Sequence, residues 1–555
     1  MKKNIVNRLL TLSMQGSHRT RSYGMLLCGL LSLSAAVFFT GCKDYLTEIE
    51  PGTDLLEDFY TSTEAATQNI TACYVPLMWE YSGTYFPEWF IGDVISDDAL
   101  KGGGSTTDMA DAYDFENWRT TSGNGLLLAY YRAQYQGIAR CNLALKYVGE
   151  MEVGKDENFT AEMKARLLAE AYYLRAYYYF RLVRVFAGVP MVLEVIDSSD
   201  KWAQERASVD AIYTQILSDL TKAEADLWEK SAYPAADMGR ATKGAAQAML
   251  MKVNLYMASP YWQTYSLSKS ADECYADAKT WGKKLIDGGE YSLCANYEDN
   301  FTLDGENGKE SIFEIQYAEV PWGDYGEGYG FTAGSFTQIL VRSRSSLIGG
   351  GWGFNHPSQN LYDEFEAGDP RRDVAILVPD ATKMENPAEE IYLGNKLLNN
   401  KYAMYRDTYT GCGFGQWGLH ASRGPLNNRQ IRYADALLMY AEACLGAGDA
   451  ATAKEYINKV RTRAGLADIT TADEAALRHE RRCELAMEGH RWFDIVRWGI
   501  AEQTIKAYEA TETAEYKAQV ALGAGFQKGK HEILPIPYDE ILLNPTKMEQ
   551  NPGYN

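Results

Sequence analysis

The chain has 555 residues, and its 54 lysines and arginines against 75 aspartates and glutamates give a formal net charge of −21 at pH 7. A strongly acidic surface repels the phosphate backbone of nucleic acids, and no Lys/Arg-rich stretch offsets that repulsion. The composition therefore argues against DNA or RNA as a partner.

The N-terminal 41 residues contain five Lys or Arg residues and no acid. An apolar run over residues 25–39 follows these five cations. This pattern is typical of a secretory signal, because the run is shorter than the roughly 20 residues that a membrane-spanning helix needs. The run ends at Thr40-Gly41-Cys42, which resembles a bacterial lipobox. We expect cleavage before Cys42 and a lipid on its thiol. An ordinary cleaved signal and an uncleaved anchor remain alternatives.

Cleavage there leaves residues 42–555, which carry a net charge of −26 because the five cations are removed. Seven cysteines besides Cys42 remain, and their spacing is unlike that of zinc ribbons or redox pairs. Cys141, Cys444 and Cys483 lie among apolar residues in helical patterns, so we interpret them as small core residues.

Apolar residues recur every three or four positions over residues 161–187, which predicts a long helix that ends at Gly188-Val189-Pro190. The same apolar periodicity predicts helices over residues 208–228, 241–258 and 271–287. The helical scaffold is predicted to span about residues 42–75, 126–290 and 430–510.

Residues 431–448 and 451–464 form the clearest helix pair. Ala441 and Ala453 fall where a tetratricopeptide unit places small residues between its two helices. A generic helical hairpin remains an alternative to a true repeat. In either case we expect these helices to be scaffold.

Two stretches differ from these helices in composition. Residues 295–430 are rich in glycine and include a β-like run at 311–315, and residues 76–125 mix aromatic and acidic residues with Gly102-Gly103-Gly104. Long loops in a compact protein are commonly functional. We predict that both stretches face a ligand.

Several longer stretches run in a characteristic order through nearly the whole mature chain, among them GCKDYLT, AEAYYLRAYYYFRLVRVFAGVPMV, KESIFEIQY and ERRCELAMEGHRWFDIVRWG. In this order they resemble the SusD/RagB family of outer-membrane nutrient-binding lipoproteins. The resemblance implies a single mostly helical domain over residues 42–555, with tetratricopeptide-like helix pairs and an irregular ligand-facing part. It also implies a lid over a SusC-like TonB-dependent transporter, to which glycans or peptides are passed.

Catalytic patterns are present only as fragments. His479-Glu480 begins like a zinc-protease helix, but Cys483 stands where the second histidine belongs. Glu480, Glu484 and Glu488 are spaced by four amid arginines, which indicates a structural ion network. We therefore expect no enzyme, and a surface hydrolase is the least favoured alternative.

Sugar binding makes better use of the two loop-rich stretches, because a pyranose lays its C–H face on an aromatic ring while its hydroxyls bond to Asp, Asn, Gln and Arg. Trp89 and Asn355 are further candidates for ligand binding. Packing in the core is the alternative for the tryptophans. Capping of a loop turn is the alternative for Asp97. The candidate ligand-binding residues are Trp79, Tyr81, Asp97, Asp98, Trp322, Tyr325, Tyr329, Trp352, Trp417 and Arg423.

The nutrient itself is left open by the sequence. A glycan is the first hypothesis, and a peptide or another nutrient held by the same architecture is the second. No cofactor is expected, although an acidic loop could hold a structural calcium ion.

Overall fold

The computed structural model describes residues 60–80, 87–318, 334–345, 350–379, 391–404, 423–522 and 525–554. Tyr60–Asn555 forms one compact unit. The helices are α1 (Thr63–Tyr74), α2 (Trp89–Gly92), α3 (Ala110–Glu116), α4 (Gly125–Glu150), α5 (Ala161–Phe186), α6 (Val209–Asp226), α7 (Lys243–Ala258), α8 (Pro260–Gln263), α9 (Ala271–Asp287), α10 (Thr337–Val341), α11 (Gln359–Glu364), α12 (Arg371–Ala375), α13 (Tyr433–Gly446), α14 (Ala450–Arg463), α15 (Glu474–Glu484), α16 (Arg491–Arg497), α17 (Ala501–Thr511), α18 (Ala514–Val520) and α19 (Tyr538–Leu543). The strands are β1 (Ala99–Gly102), β2 (Ser311–Ile315), β3 (Phe354–Pro357), β4 (Ile376–Leu377), β5 (Leu398–Asn399) and β6 (Asn428–Arg432).

The long helices pack in chain order: α4 against α5, α5 against α6, α6 against α7, α7 against α9, α9 against α13 and α13 against α14. Each of α4 to α7 begins at a polar N-cap whose side-chain oxygen accepts a backbone N–H of the first turn. These observations confirm the mostly helical, tetratricopeptide-like fold. In the part of the chain that the structure describes, no helix is both long and apolar enough to span a membrane.

Helix α5 is the centre of this stack. Every residue from Tyr173 through Phe186 is buried, so its second half has neighbours on all sides rather than on one face. Gly137 of α4 lets the two helices approach, because a Cβ there would lie 2.2 Å from the Tyr178 ring. The helix ends where predicted, but Ala187 takes the positive φ of 57° at the C-cap, not the glycine that follows it.

The predicted hairpin is confirmed as α13 and α14. Ala441 and Ala453 are fully buried between the two helices, and Gly446 lies against the Tyr275 ring of α9. Cys141, Cys444 and Cys483 are buried as predicted.

Acid residues of α15 and the turn after it form the predicted ion network, but their partners come from distant elements. Glu480 pairs with Arg371 at 2.6 Å and Arg461 at 2.9 Å, and Glu484 pairs with Arg432 at 2.9 Å. Glu488 lies beyond the end of the helix, where it contacts Arg432 at 2.7 Å. The interpretation of Glu480 as structural is confirmed.

Within the described residues, the strands pair as three two-stranded antiparallel sheets, β1–β3, β2–β6 and β4–β5. The strand predicted at residues 311–315 is confirmed as β2, which pairs with β6. Residues 89–101 are buried throughout, because β1 pairs with β3 and α2 lies in the core. The prediction that all of residues 76–125 would face a ligand is therefore wrong for this part.

Candidate functional site

Residues 81–86, 319–333, 346–349 and 405–422 lie outside the described ranges, and the residues that flank them are bonded to one another. Glu80, 6% exposed, is the centre of these contacts. Its Oε2 accepts hydrogen bonds from Ser335 Oγ at 2.7 Å and from the backbone N–H groups of Phe336 at 2.7 Å and Thr337 at 3.1 Å. Its Oε1 accepts a bond from Thr337 Oγ1 at 3.0 Å. The carboxylate thus fixes the start of α10 to the residue that precedes 81–86.

A backbone bridge adds the segment after residues 405–422. Ser335 N–H donates to Gly424 O at 2.7 Å, and Gly424 N–H donates to Ser335 O at 2.8 Å. A side chain at position 424 would collide with Gln338, since a Cβ would lie 2.0 Å from its Oε1. Arg342 Nε also donates to Ala403 O at 2.8 Å, so the other end of that segment is held as well.

Two of the predicted binding residues meet at Phe336, a residue that the sequence reasoning missed. The Trp352 ring lies edge-on to the Phe336 ring, with centroids 5.3 Å apart, and the Arg423 guanidinium lies 4.6 Å from the Phe336 centroid. Trp352 and Arg423 are both half-buried, so each keeps surface that a solute can reach. Phe336 follows a glycine-containing stretch, the same signal that selected the tryptophans. We call Glu80, Ser335–Thr337, Trp352, Arg423 and Gly424 the loop-end cluster.

Asp97 and Asp98 are wrong as ligand-facing residues. Each is 2% exposed, and Asp97 pairs with Arg491 at 2.7 Å and Arg482 at 2.9 Å while Asp98 pairs with Arg482 at 2.8 Å. Burial raises the pKa of Asp97, but the two guanidinium groups outweigh it and lower that pKa to about 2. These acids join β1 to α15 and α16, and their charge is not available to a solute.

Trp79 is also wrong as a binding platform, because it is 5% exposed and belongs to the main hydrophobic core. Trp89 and Asn355 are likewise buried: Trp89 Nε1–H donates to Thr337 Oγ1 at 3.3 Å, and Asn355 Nδ2 donates to Asp93 at 3.1 Å. Core packing is thus the outcome for these tryptophans. Outside the described residues lie Cys42, Tyr81, Trp322, Tyr325, Tyr329 and Trp417, whose roles stay predictions.

A separate cleft of about 220 Å³ is lined by none of the residues of the loop-end cluster. Its lining comes from the end of α1 and the 3₁₀ turn after it (residues 71–78), from a turn at residues 236–240, and from the end of β2 (residues 314–316). Met78 and Met238 both line it, and we call it the methionine cleft. Sequence reasoning missed this site because its three segments are far apart in the chain.

Metal binding finds no support in the described ranges, where no three His, Cys, Asp or Glu side chains are grouped so as to hold an ion. The calcium ion considered from the sequence stays a prediction.

The fold and these contacts define a class of protein: stacked helical hairpins that carry a cluster of residues from distant parts of the chain. Comparison with known proteins refines this. The model of the SusD family matches residues 309–554, and a family model described as "Starch-binding associating with outer membrane" matches residues 54–255. The chain belongs to the SusD/RagB family.

Among its relatives is the starch-binding protein SusD of Bacteroides thetaiotaomicron, which is 25% identical over 445 residues, 72% of this chain and 74% of the relative. A solved laminarin-binding SusD-like protein is 28% identical, with a TM-score of 0.73 over 88% of this chain and 99% of that one. Surface glycan-binding protein A from Bacteroides fluxus is 25% identical, with a TM-score of 0.72 over 88% and 99%.

Proposed function

We propose that the chain is a cell-surface lipoprotein that captures polysaccharides or oligosaccharides and delivers them to a SusC-like TonB-dependent transporter of the outer membrane. The observation that carries glycan binding is the loop-end cluster of a SusD-family fold, where half-buried Trp352 and Arg423 meet at Phe336. An indole ring offers a face to sugar C–H groups, and a guanidinium donates to hydroxyl oxygens. The starch- and laminarin-binding relatives support the same ligand class.

Membrane attachment through Cys42 is part of this proposal. The basic, acid-free leader and its apolar run support export, and the acyl chains of a lipidated cysteine supply lasting attachment because each buried methylene contributes about 0.8 kcal/mol. The family description that refers to the outer membrane supports the location. We expect the mature chain to co-purify with a large barrel transporter from solubilised outer membranes.

We propose binding without catalysis. A glycosidase needs two carboxyl groups opposed across a cleft. Asp97 and Asp98 are instead buried against arginines, and Glu480 is buried between Arg371 and Arg461. These acids are therefore suited to hold the scaffold together.

Affinity electrophoresis tests the proposal directly. The soluble chain, started after Cys42, is run through gels that contain laminarin, starch or other polysaccharides, and we expect at least one of them to retard it. Trp352→Ala should weaken the affinity measured from this retardation about tenfold or more. Trp202→Ala is the matched control, because Trp202 is 73% exposed and lies in the connection between α5 and α6. Lack of retardation by any glycan would point to a peptide or another nutrient, and release of products from the glycans would establish an enzyme.

A further inference from the structure

The methionine cleft differs in chemistry from the loop-end cluster. We propose that it binds an aromatic ring carried by the ligand, which makes glycans with an aromatic substituent the preferred ligands. This inference rests on the proposed glycan binding.

The size of the cleft suits a single ring. Its volume is about 220 Å³. An apolar cavity of about 150 Å³ accommodates benzene, whereas pockets that hold whole drug-sized ligands begin at about 300 Å³. The cleft therefore has room for one substituent and not for several sugar units.

Its lining is mostly apolar. Val75, Leu77 and Met78 come from the turn after α1, Ile315 comes from β2, and Met238 comes from the turn at residues 236–240. The acidic residues Asp237 and Glu314 also belong to the lining. Met238 remains 41% exposed although it is a large apolar side chain. Methionine adapts to different shapes and makes favourable sulfur contacts with aromatic rings. A pair of methionines at the cleft thus fits a planar ring.

Three polar side chains at the cleft, those of Tyr74, Arg240 and Gln316, already have hydrogen-bond partners within the protein. Tyr74 OH donates to Glu170 at 2.7 Å and accepts the N–H of Ala241 at 3.0 Å. Arg240 donates to Asp237 at 2.8 Å, to Glu170 at 3.1 Å and to Thr71 at 2.9 Å.

Gln316 is engaged in the same way, because its amide exchanges hydrogen bonds with Asn307 at 2.8 and 3.0 Å and accepts one from Asn427 at 3.0 Å. A sugar hydroxyl that bonded to these three side chains would have to displace or share their present bonds, whereas an apolar group enters without breaking any. These side chains therefore favour an apolar substituent over the sugar.

The backbone gives the cleft a fixed shape. Gly239 has a φ of +97°, and a Cβ at this position would lie 2.4 Å from Gln316 Cδ, so the turn at residues 236–240 crosses directly over that amide. Met78 precedes Glu80 by two residues, and Asn427, which bonds Gln316, follows Gly424 by three. The cleft is thus connected through short chain segments to the loop-end cluster.

Methyl NMR of the soluble chain with ¹³C-methyl methionine tests the inference. The probes are phenyl β-D-glucopyranoside and methyl β-D-glucopyranoside, and Met78→Leu and Met238→Leu assign the two signals. We expect the phenyl glycoside to shift both signals in a saturable manner, and the methyl glycoside to bind at least tenfold more weakly, since the difference is the burial of a ring. Equal responses to the two glycosides, or no response to the phenyl compound up to its solubility limit, would overturn the proposal.

Ala235 and Ala236 provide a matched pair of variants. Both are exposed on the 3₁₀ turn Ala235–Asp237, but Ala236 lines the cleft and Ala235 lies outside its lining. Ala236→Phe should weaken binding of the phenyl glycoside tenfold or more, while Ala235→Phe should change it less than twofold. An equal effect of the two variants contradicts the assignment of the site.

The two proposals fail separately. If unsubstituted polysaccharides retard the chain but the methionine signals ignore the phenyl group, the cleft assignment is wrong and glycan binding stands. If the phenyl group saturates the cleft while no polysaccharide retards the chain, glycan binding is wrong and the apolar site stands. If unsubstituted laminarin no longer retards Ala236→Phe but still retards Ala235→Phe, the cleft binds the sugar itself, and the inference is overturned.

Discussion

Replacing Glu80 by leucine removes the acceptor of four hydrogen bonds while keeping a side chain of similar size. The backbone N–H of Phe336 then loses this acceptor inside the protein, whereas that of Thr337 keeps a 3.2 Å bond to Ser335 Oγ. A buried donor left unsatisfied costs about 1–3 kcal/mol, so the loss at Phe336 destabilises the start of α10 by about that amount. At about 1.4 kcal/mol per factor of ten, local opening becomes at least about fivefold more frequent. Glu80→Gln retains one carbonyl acceptor and should have a smaller effect.

Hydrogen exchange read by mass spectrometry on peptides within residues 334–345 measures this opening locally. Glu64→Leu is the control, because Glu64 is exposed on α1 and accepts one side-chain hydrogen bond, from Gln68 at 3.1 Å; its effect should stay below about 1 kcal/mol. Exchange in folded Glu80→Leu within threefold of the wild type would refute the reasoning. Because Trp352 and Arg423 contact Phe336, we also expect weaker glycan retardation with the same order of preference among glycans.

Two further predictions concern the scaffold. Gly137→Ala places a methyl group against the Tyr178 ring and should lower the free energy of unfolding by about 1–3 kcal/mol, measured by thermal unfolding. Gly149→Ala on the same helix meets no atom within 4 Å and should raise that free energy by about 0.5–1 kcal/mol. The opposite order of stabilities would contradict the packing of α4 on α5. Hydrogen bonding to Glu364 raises the pKa of His479, so the stability from this contact is fully present below the ordinary pKa of about 6.5 and is lost as pH rises through the raised value. His479→Gln should therefore remove a decrease in melting temperature that the wild type shows over this pH range, and an unchanged pH profile would exclude the effect.

The helical scaffold could be predicted from the sequence because its signals are local. The apolar period of residues 161–187 and the small residues Ala441 and Ala453 each report on neighbours within the same helix or the next one. The regular spacing of Glu480 and Glu484 indicated an ion network for the same reason. Their partners, Arg371, Arg432 and Arg461, lie on other elements, and no local spacing shows which arginine reaches which acid.

The site was predicted less well, because its residues meet only after folding. Asp97 and Asp98 stand near three glycines and read as a solvated loop, yet Arg482 and Arg491 approach them from almost 400 residues away. Val75, Met78 and Met238 have the composition of core residues, and only the arrangement of three distant segments leaves a cleft between them. Trp352 and Arg423, both predicted from the sequence to bind a ligand, meet at Phe336, which was missed, and their role in binding stays a prediction.

The buried ion pairs of Asp97 and Asp98 are connected to the loop-end cluster through strands β1 and β3. Desolvation offsets much of the attraction between buried ions, so such pairs add little net stability, but a pair that loses one partner is costly. Arg482 holds Asp98, whose carbonyl accepts the N–H of Ser358 at 2.8 Å, directly after β3. Strand β3 begins two residues after Trp352 and pairs with β1 along Ala99–Gly102. The charges therefore help to set the position of the strand that follows Trp352, and we infer that their main contribution is to place that ring rather than to add stability.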